Sequence, residues 1–344
     1  MIFLGQLLKK RILYLDHPVS VAACGAVAGR MEGQGPLGEC FDEIEPDSFF
    51  GAKTWEQGES RMQQRALHCA LQKAGLTPEE LDVLFAGDLL NQCIATSFAL
   101  RDLPISLCGL YGACSTMGEA LLLAGMALDG GFAHTAGAMA SSHFCTAERQ
   151  YRMPMPYGSQ RTPTAQWTAT AAGCCLLHTG GTGPYLRGGI VGRVTDLGIT
   201  DSSNMGAAMA PAACDTLCEF FRCSNTRPED YDRIVTGDLG ALGAELLREL
   251  MAREGFALGE RYTDCGLLLY DRLAQDMHAG GSGAGCCAGV LCAHLLPELR
   301  ERKWRRLLFA PTGALLSPIS GFQGETIPGI CHAVVFTSEW EGNL

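Results

Sequence analysis

The chain has 344 residues and a net charge of -11, with 47% apolar and 18% charged residues. The apolar share supports a large ordered core of one or two domains and excludes a disordered chain. The acidic balance argues against nucleic acid or an anionic membrane as a partner held by the overall field, so an anionic ligand would need local arginines.

Cysteine usage points the same way. Seventeen cysteines, an odd number with the adjacent pairs Cys174-Cys175 and Cys286-Cys287 and no C-x-x-C, do not make a secreted disulfide framework, and a reducing compartment follows. Cys214, Cys218 and Cys223 lack the spacing of a zinc knuckle, and a helical core face explains the first two, so no metal is expected.

The amino-terminal MIFLGQLLKKRILYL puts its apolar residues before its charges, the reverse of a secretory signal. No apolar run reaches the length of about 18 residues that suggests a membrane span. The first residues could still pack on a partner or a membrane surface. Val19 to Ala28 (VSVAACGAVA) reads as a buried strand, and the Gly-rich, acidic stretch from Gly33 to Asp47 as a loop. The spacing of Met62, Ala66, Leu67, Ala70 and Leu71 predicts a helix over 61–75. Thr77 then offers a cap, Pro78 suits a first helical position and Glu80 closes a capping box, before a short strand Val83 to Ala86 that ends at Gly87-Asp88-Leu89.

The stretch from Gly112 to Gly131, GACSTMGEALLLAGMALDGG, sets a small-residue turn with Cys114 ahead of a Thr116-x-x-Glu119 capping pattern and an apolar run from Ala120 to Leu128. This helix has no long polar face and should be buried on nearly all sides. At its N-terminus the backbone favours negative charge by about 0.3–1 kcal/mol, so Cys114 there is either core filler or a thiol facing a site.

LTPEELDVLFAGDLL (Leu76 to Leu90) returns as TRPEDYDRIVTGDLG (Thr226 to Gly240), offset by 150 with Pro, Glu, Asp, Gly, Asp and Leu in place. GACS at Gly112 has its counterpart in GAGC at Gly283, the offset having grown to about 171, each opening an apolar helix and then a strand, His134 to Ala140 and Leu307 to Ala310. A duplicated β/α unit implies two similar halves about a pseudo-twofold axis, residues 1–180 and 181–344, with mixed or parallel sheets and the helices headed by Cys114 and Cys286 lying together between them. Between the halves, Met153 to Trp167 reads as a flap; Thr168 to His178 and Tyr185 to Gly198 read as strands.

Such a duplicated half with a cysteine heading its first central helix resembles the thiolase-like condensing enzymes. The strings PLGECFDEIEPD, LFAGDLLNQ, GACSTMGEA, ASSHFCTAERQYR, GRVTDLGITDSSNMGAAMAPAACDT, TGDLGALG, GGSGAGC and TGALLSP resemble, within that superfamily, the stage V sporulation protein AD family of spore-forming bacteria, from about His17 to Trp340. The resemblance implies an α/β fold of two thiolase-like halves, a five-layer αβαβα sandwich with buried central helices. It implies a protein that is not an enzyme. It would bind dipicolinate (pyridine-2,6-dicarboxylate), free or as its calcium chelate, and act with the other SpoVA membrane proteins in dipicolinate uptake into the developing spore and in spore germination. The protein would be soluble or peripheral at the forespore or spore inner membrane. It also implies a homodimer, no cofactor and no nucleic acid.

A condensing enzyme needs a thiol nucleophile, a histidine that moves a proton and a third group that polarises the thioester. Cys114 fits the first role. The second-half turns Thr236 to Gly240 and Gly280 to Gly283 carry Asp238 and Ser282 but no histidine. An ionised Asp238 would oppose a thiolate, which reads as a former condensing site kept as a binding pocket. The alternative is an acyl-CoA condensing acyltransferase using Cys114. His143 could pair with Cys114 or donate to a ligand carboxylate, or else be a core histidine satisfied by backbone. Arg149 and Arg152 could grip two carboxylates, or form a solvated face. Asp88 and Asp238 match in the repeat as turn or cap residues, or as contacts to the ring nitrogen or a chelated calcium, with Asn91 and Gln92 as uncharged donors.

Overall fold

The computed structural model describes residues 6–8, 11–151 and 161–340. Its centre is a 12-stranded sheet. Along it run Tyr262–Asp264, Arg233–Thr236, Arg306–Ala310, Ala333–Thr337, Tyr185–Ile190, Ile12–Gly29, Ala171–Thr179, Thr135–Ser142, Val83–Gly87 and Leu107–Gly109. Gln6–Leu8 and Glu43–Glu45 pair on Ile12–Gly29 beside this path. Counted in chain order along that path, each half has its strands in the order third, second, fourth, fifth, first, with two parallel pairings followed by two antiparallel ones. The first strands of the two halves meet antiparallel, Ile12 opposite Ile190 and Leu13 opposite Gly189.

Side-chain alternation along a strand sends successive residues to opposite faces, and here it separates three apolar cores. Ala171, Cys175 and Leu177 face the central helices with Met117, Leu121, Cys286 and Val290. Their neighbours Ala172, Cys174 and Leu176 face the outer helices Trp55–Ala74 and Ile94–Leu100. In the second half Val334 and Phe336 face inward, while Ala333 and Val335 meet Met205–Ser224 and Gly240–Arg253. Each half of the one sheet thus forms its own layer, and the layers run helix, sheet, helix, sheet, helix.

Several elements extend beyond the sequence pattern. The strand expected over Val19 to Ala28 runs Ile12–Gly29, and the loop after it contains the Glu43–Glu45 side strand. The helix expected over 61–75 begins at Trp55, because Thr54 accepts the Gln57 N–H, and ends at Gly75, whose φ of +68° turns the chain out of the helix. The first central helix is Thr116–Asp129 and is buried along most of its length. Its expected capping box does not form. The Thr116 hydroxyl accepts from Gly112 N–H and donates to Ala113 O, so it closes the preceding turn and not the helix end.

The repeat is kept in detail. Glu80 accepts the Thr77 N–H at 2.8 Å and Asp230 the Arg227 N–H at 2.7 Å. Asp82 accepts the N–H groups of His134 and Thr135, and Asp232 those of Arg305 and Arg306. In each half the same aspartate ties the start of the second strand to the start of the fourth, and the partners are 150 and 171 residues apart as the sequence offsets require.

Glycine sets how closely the second central helix, Ala284–Val290, approaches the sheet. A Cβ at Gly173 would lie 2.1 Å from Ala288 O, and one at Gly285 would lie 2.1 Å from Ala171 O. Gly173→Ala should therefore destabilise the protein by about 1–3 kcal/mol in urea denaturation, since it forces the helix off the sheet. Gly321→Ala, in a helix whose Cβ position meets nothing within 4 Å, should leave stability unchanged or slightly raised.

Candidate functional site

The site forms where the two halves meet, and each residue arrives on a turn at the end of a strand. Cys114 lies in the turn Gly112 to Ser115, which Ser115 Oγ closes by donating to Gly112 O at 2.6 Å. The turn holds Ala113 at φ +50°, a left-handed conformation that costs an alanine on the order of 1 kcal/mol and aims the next side chain inward. Asp238 follows the strand Arg233–Thr236. Gln166 fixes its turn by donating to the carbonyls of Asp238 and, at 3.1 Å, Gly281. Ser282 ends the short strand Gly281–Ser282, which pairs with Trp167–Thr168, and Gly283 is the N-cap of the second central helix.

These groups converge on the Asp238 carboxylate. Thr312 Oγ1 donates to Oδ1 at 2.7 Å; Ser282 Oγ and Gly283 N–H donate to Oδ2 at 3.2 and 3.3 Å. The Cys114 thiol donates to the same carboxylate. Burial raises Asp238 to about 6 against these four donors. Burial, the Asp238 charge and the hydrogen bond to it push the Cys114 thiol well above its usual range, and the Gly283 N–H opposes this only in part. Near neutral pH the proton stays on sulfur. The helix N-terminus, worth about 0.3–1 kcal/mol, does not offset a buried carboxylate in contact with the thiol.

Cys114 opens into a cavity of about 60 Å³ whose lining includes Leu89, Tyr111, Glu148, Tyr151, Ser282 and Leu316. None of its described lining residues is Lys or Arg. Tyr111 and Tyr151 share a hydroxyl hydrogen bond of 2.7 Å, and Tyr151 also donates to Leu89 O at 2.6 Å. Thr312, Glu148 and the two tyrosines were not among the residues expected from sequence. Thr312 had a signal, since it directly follows the strand that repeats the one after the first central helix.

The structure thus brings together Cys114, Asp238 and Ser282, and places the other expected residues elsewhere. His143 does not face the thiol: its Nε2 meets Ser48 O at 2.7 Å and its Nδ1 accepts the Cys145 N–H at 3.2 Å. Burial lowers its pKa, so it is neutral, and it lines a separate cavity of about 130 Å³. The second half does bring a buried imidazole, His332, against the first central helix at Gly118. Its Nδ1 accepts the Gly192 N–H at 3.1 Å, and burial lowers its pKa to about 4.

Asp88 is a cap. It accepts Leu90 N–H, Thr96 N–H and Thr96 Oγ1 at 2.8, 2.8 and 2.6 Å. Asn91, Gln92 and Arg149 line a cavity of about 390 Å³ on the opposite face of the helix Phe144–Tyr151 from the Cys114 cavity. Arg149 is paired with Glu56 and stacked over Trp55. Arg152 and most of the expected flap lie outside the described residues. Among the described residues no group of three His, Cys, Asp or Glu side chains has an arrangement that could hold a metal ion.

This seam between duplicated halves, with a cysteine heading one central helix, is the architecture of the thiolase-like proteins. The cerulenin-bound OleA of Xanthomonas campestris shares the fold at a TM-score of 0.60 and 14% identity, covering 95% of this chain and 98% of that one. The 3-oxoacyl-[acyl-carrier-protein] synthase III of Aquifex aeolicus does so at 0.56 and 15%, covering 92% and 99%. At these identities the likeness is one of fold. The family model of stage V sporulation protein AD (SpoVAD) matches residues 9–337. The stage V sporulation protein AD of Bacillus subtilis (strain 168) is 42% identical over 331 residues, 96% of this chain and 98% of that protein. The chain belongs to the stage V sporulation protein AD family.

Two outcomes follow. Asp238→Asn removes the charge that opposes the thiolate, so alkylation of Cys114 by iodoacetamide at pH 7.5, followed by peptide mass spectrometry, should be several-fold faster than in the unaltered chain. The buried acids also set a pH dependence. Burial raises Asp238 to about 6 and Asp264 to about 7, and burial with the nearby Asp88 raises Glu59 to about 8. Groups raised on folding contribute stability that is present below their unfolded values and lost as pH rises through the folded ones. The melting temperature should therefore fall between pH 5 and 8.5, and Glu59→Gln should flatten the upper part of that slope.

Proposed function

We propose that the chain is a non-catalytic binding protein for dipicolinate, acting with membrane partners in loading or releasing that diacid in the spore. The observation that carries this reading is the Cys114 thiol donating to the Asp238 carboxylate. A condensing enzyme of this fold needs a proton acceptor that leaves a thiolate behind. Here the acceptor is the stronger acid, so the nucleophile remains a thiol.

The walls favour a small, partly aromatic guest. Leu89, Met205 and Leu316 are apolar, and Tyr111 offers a ring face and a hydroxyl. An apolar cavity of about 150 Å³ takes a benzene-sized guest, so entry of a pyridine diacid into a site of about 60 Å³ requires side chains such as the half-exposed Tyr111 to swing aside. Glu148 makes the lining acidic, and the buried Asp238 adds to the acidity from behind Ser282 and Cys114. That favours the neutral calcium chelate of the diacid, whose ion takes carboxylate oxygens, over the bare dianion.

Membrane association would come through the partners: among the described residues no helix is long and apolar enough to cross a membrane. The edge strand Leu107–Gly109, just ahead of the first central helix, suits pairing with a second copy.

Thermal unfolding tests the assignment. Dipicolinate should raise the melting temperature saturably where benzoate does not, and more in the presence of calcium at pH 7.5. Without calcium, its affinity should rise as the pH is lowered through about 6, where Asp238 takes up its proton, and Asp238→Asn should remove that dependence. Absence of saturable stabilisation under every condition would exclude dipicolinate as the ligand. A stable acyl adduct on Cys114 after exposure to acyl-CoA, seen by mass spectrometry, would instead establish the acyltransferase reading.

A further inference from the structure

Away from the site, another cavity of about 260 Å³ lies between the strand Ile12–Gly29 and the turns Leu291–Leu295 and Leu296–Arg300 that continue the second central helix, lined in part by Ala22, Cys24, Lys73, Cys292 and Arg300. Three thiols meet there: those of Cys175 and Cys292 are hydrogen-bonded to Cys24 sulfur. Cys24 is partly exposed, while Cys175 and Cys292 are buried.

Cys175 stands directly opposite Cys24 on the neighbouring antiparallel strand. The backbone shows which kind of pair this is. Ala26 directs both its N–H and its C=O to Asp42, at 2.9 Å each, and the Cys24 C=O accepts from Lys73 Nζ at 2.9 Å. Residues 24 and 26 therefore turn their backbone away from the strand carrying Cys175. Cys24 and Cys175 form a non-hydrogen-bonded pair, the kind whose Cα atoms lie about 4.5 Å apart, inside the window of about 4.4–6.8 Å that a disulfide spans.

The backbone is irregular on both sides of the cluster. A register shift between Val21 and Ala23 bulges the strand, and Cys292 is carried on a π-helical turn, Leu291–Leu295. Both devices recur next to functional sites. Two cations complete the cavity: Arg300 donates to Val21 O at 2.7 Å, and Lys73 bridges Cys24 O and Asp42.

We propose that this cluster is a thiol-oxidation site at which Cys24 reacts with a small hydroperoxide and Cys175 resolves the product as a disulfide. Cys24 sulfur attacks the peroxide, the O–O bond breaks, and one oxygen leaves as water or alcohol while the other stays as the sulfenic acid. The Cys175 thiol then displaces that oxygen as a second water. Two electrons from the two sulfurs reduce one peroxide, and both thiol protons end in the products.

The charges around the cluster support the order of reaction. The donors Cys175 and Cys292, helped by Arg300 and Lys73, lower the Cys24 pKa well below the usual thiol range against the cost of burial. The hydrogen bond to Cys24 and burial push Cys175 up, and burial pushes Cys292 and Cys174 up. Cys69, raised by burial and by Asp42 and Glu43, and those two acids are further titratable groups on this side. Cys24 is thus the thiol most readily ionised, and its neighbours are held as thiols.

Treatment of the full chain with hydrogen peroxide, followed by alkylation and peptide mass spectrometry, tests this. Cys24 should be consumed about tenfold faster than the exposed Cys40, whose thiol is raised by burial and neighbouring acids, and a Cys24–Cys175 crosslink should form. Cys175→Ser should leave a Cys24 sulfenic acid that dimedone captures, and Cys24→Ser should leave Cys175 alkylatable. The crosslink in the unaltered chain decides the matter even if a variant folds poorly. Oxidation of Cys40 as fast as Cys24 would overturn the proposal, and a Cys24–Cys292 link would overturn the assignment of Cys175.

Discussion

A buried carboxylate, Asp238, holds the seam of this molecule together. Taking a charge out of water costs several kcal/mol unless hydrogen bonds replace the lost solvation. Asp238 is supplied from both halves: Thr312, Ser282 and Gly283 from its own, and the Cys114 thiol from the other. The turn that presents Cys114 is therefore locked to the second half by the same contact that keeps its sulfur protonated. With the carboxyl near 6 and the thiol pushed well above its usual range by burial and the Asp238 charge, the proton sits on sulfur. Stability of the seam and protonation of the Cys114 thiol rest on one interaction.

The duplication shows how such a residue became available. In the first half Asp88 stays local, accepting Leu90 N–H and both Thr96 groups to start the helix Ile94–Leu100. In the second half the equivalent turn is held by Asp264, which accepts Leu239 N–H and Gly240 N–H along with Gly266 N–H. Asp238 is then free to face across the seam. Two aspartates at matching places in the repeat do different work because a third, Asp264, standing at the end of the third strand where the first half has Gly109, has taken over the capping role.

That division of labour explains what the sequence could and could not show. The repeat, the seam and the central helices were legible because they rest on periodic apolar spacing and on motifs such as Pro-Glu-x-x-Asp, each with a local physical cause. Asp238 was legible because it follows a repeated strand, and Cys114 and Ser282 because they stand at the turns that open the two repeated central helices. His143 and Arg149 were not, because their contacts are long-range. Ser48 O and Glu56 come from the loop and helix nearly a hundred residues earlier, and no local pattern announces that they will capture an imidazole and a guanidinium. The failed capping box at Thr116 has the same origin: the hydroxyl is taken by the turn that carries Cys114, a demand set by the site and not by the helix.

The abundance of cysteine follows from packing. Where the second central helix rests its backbone on the sheet at Gly173 and Gly285, side chains must be small, apolar and able to fill a gap without a polar partner. Cysteine meets that need at Cys286 and Cys287, where burial pushes both thiols up and leaves them inert. The same habit, applied on the strand at Cys24 and Cys175 and on the π turn at Cys292, brings sulfur atoms together beside Lys73 and Arg300. Composition cannot tell these two uses apart. The difference is made by a bulge, a π turn and two cations that open one thiol to solvent while the rest stay within the core.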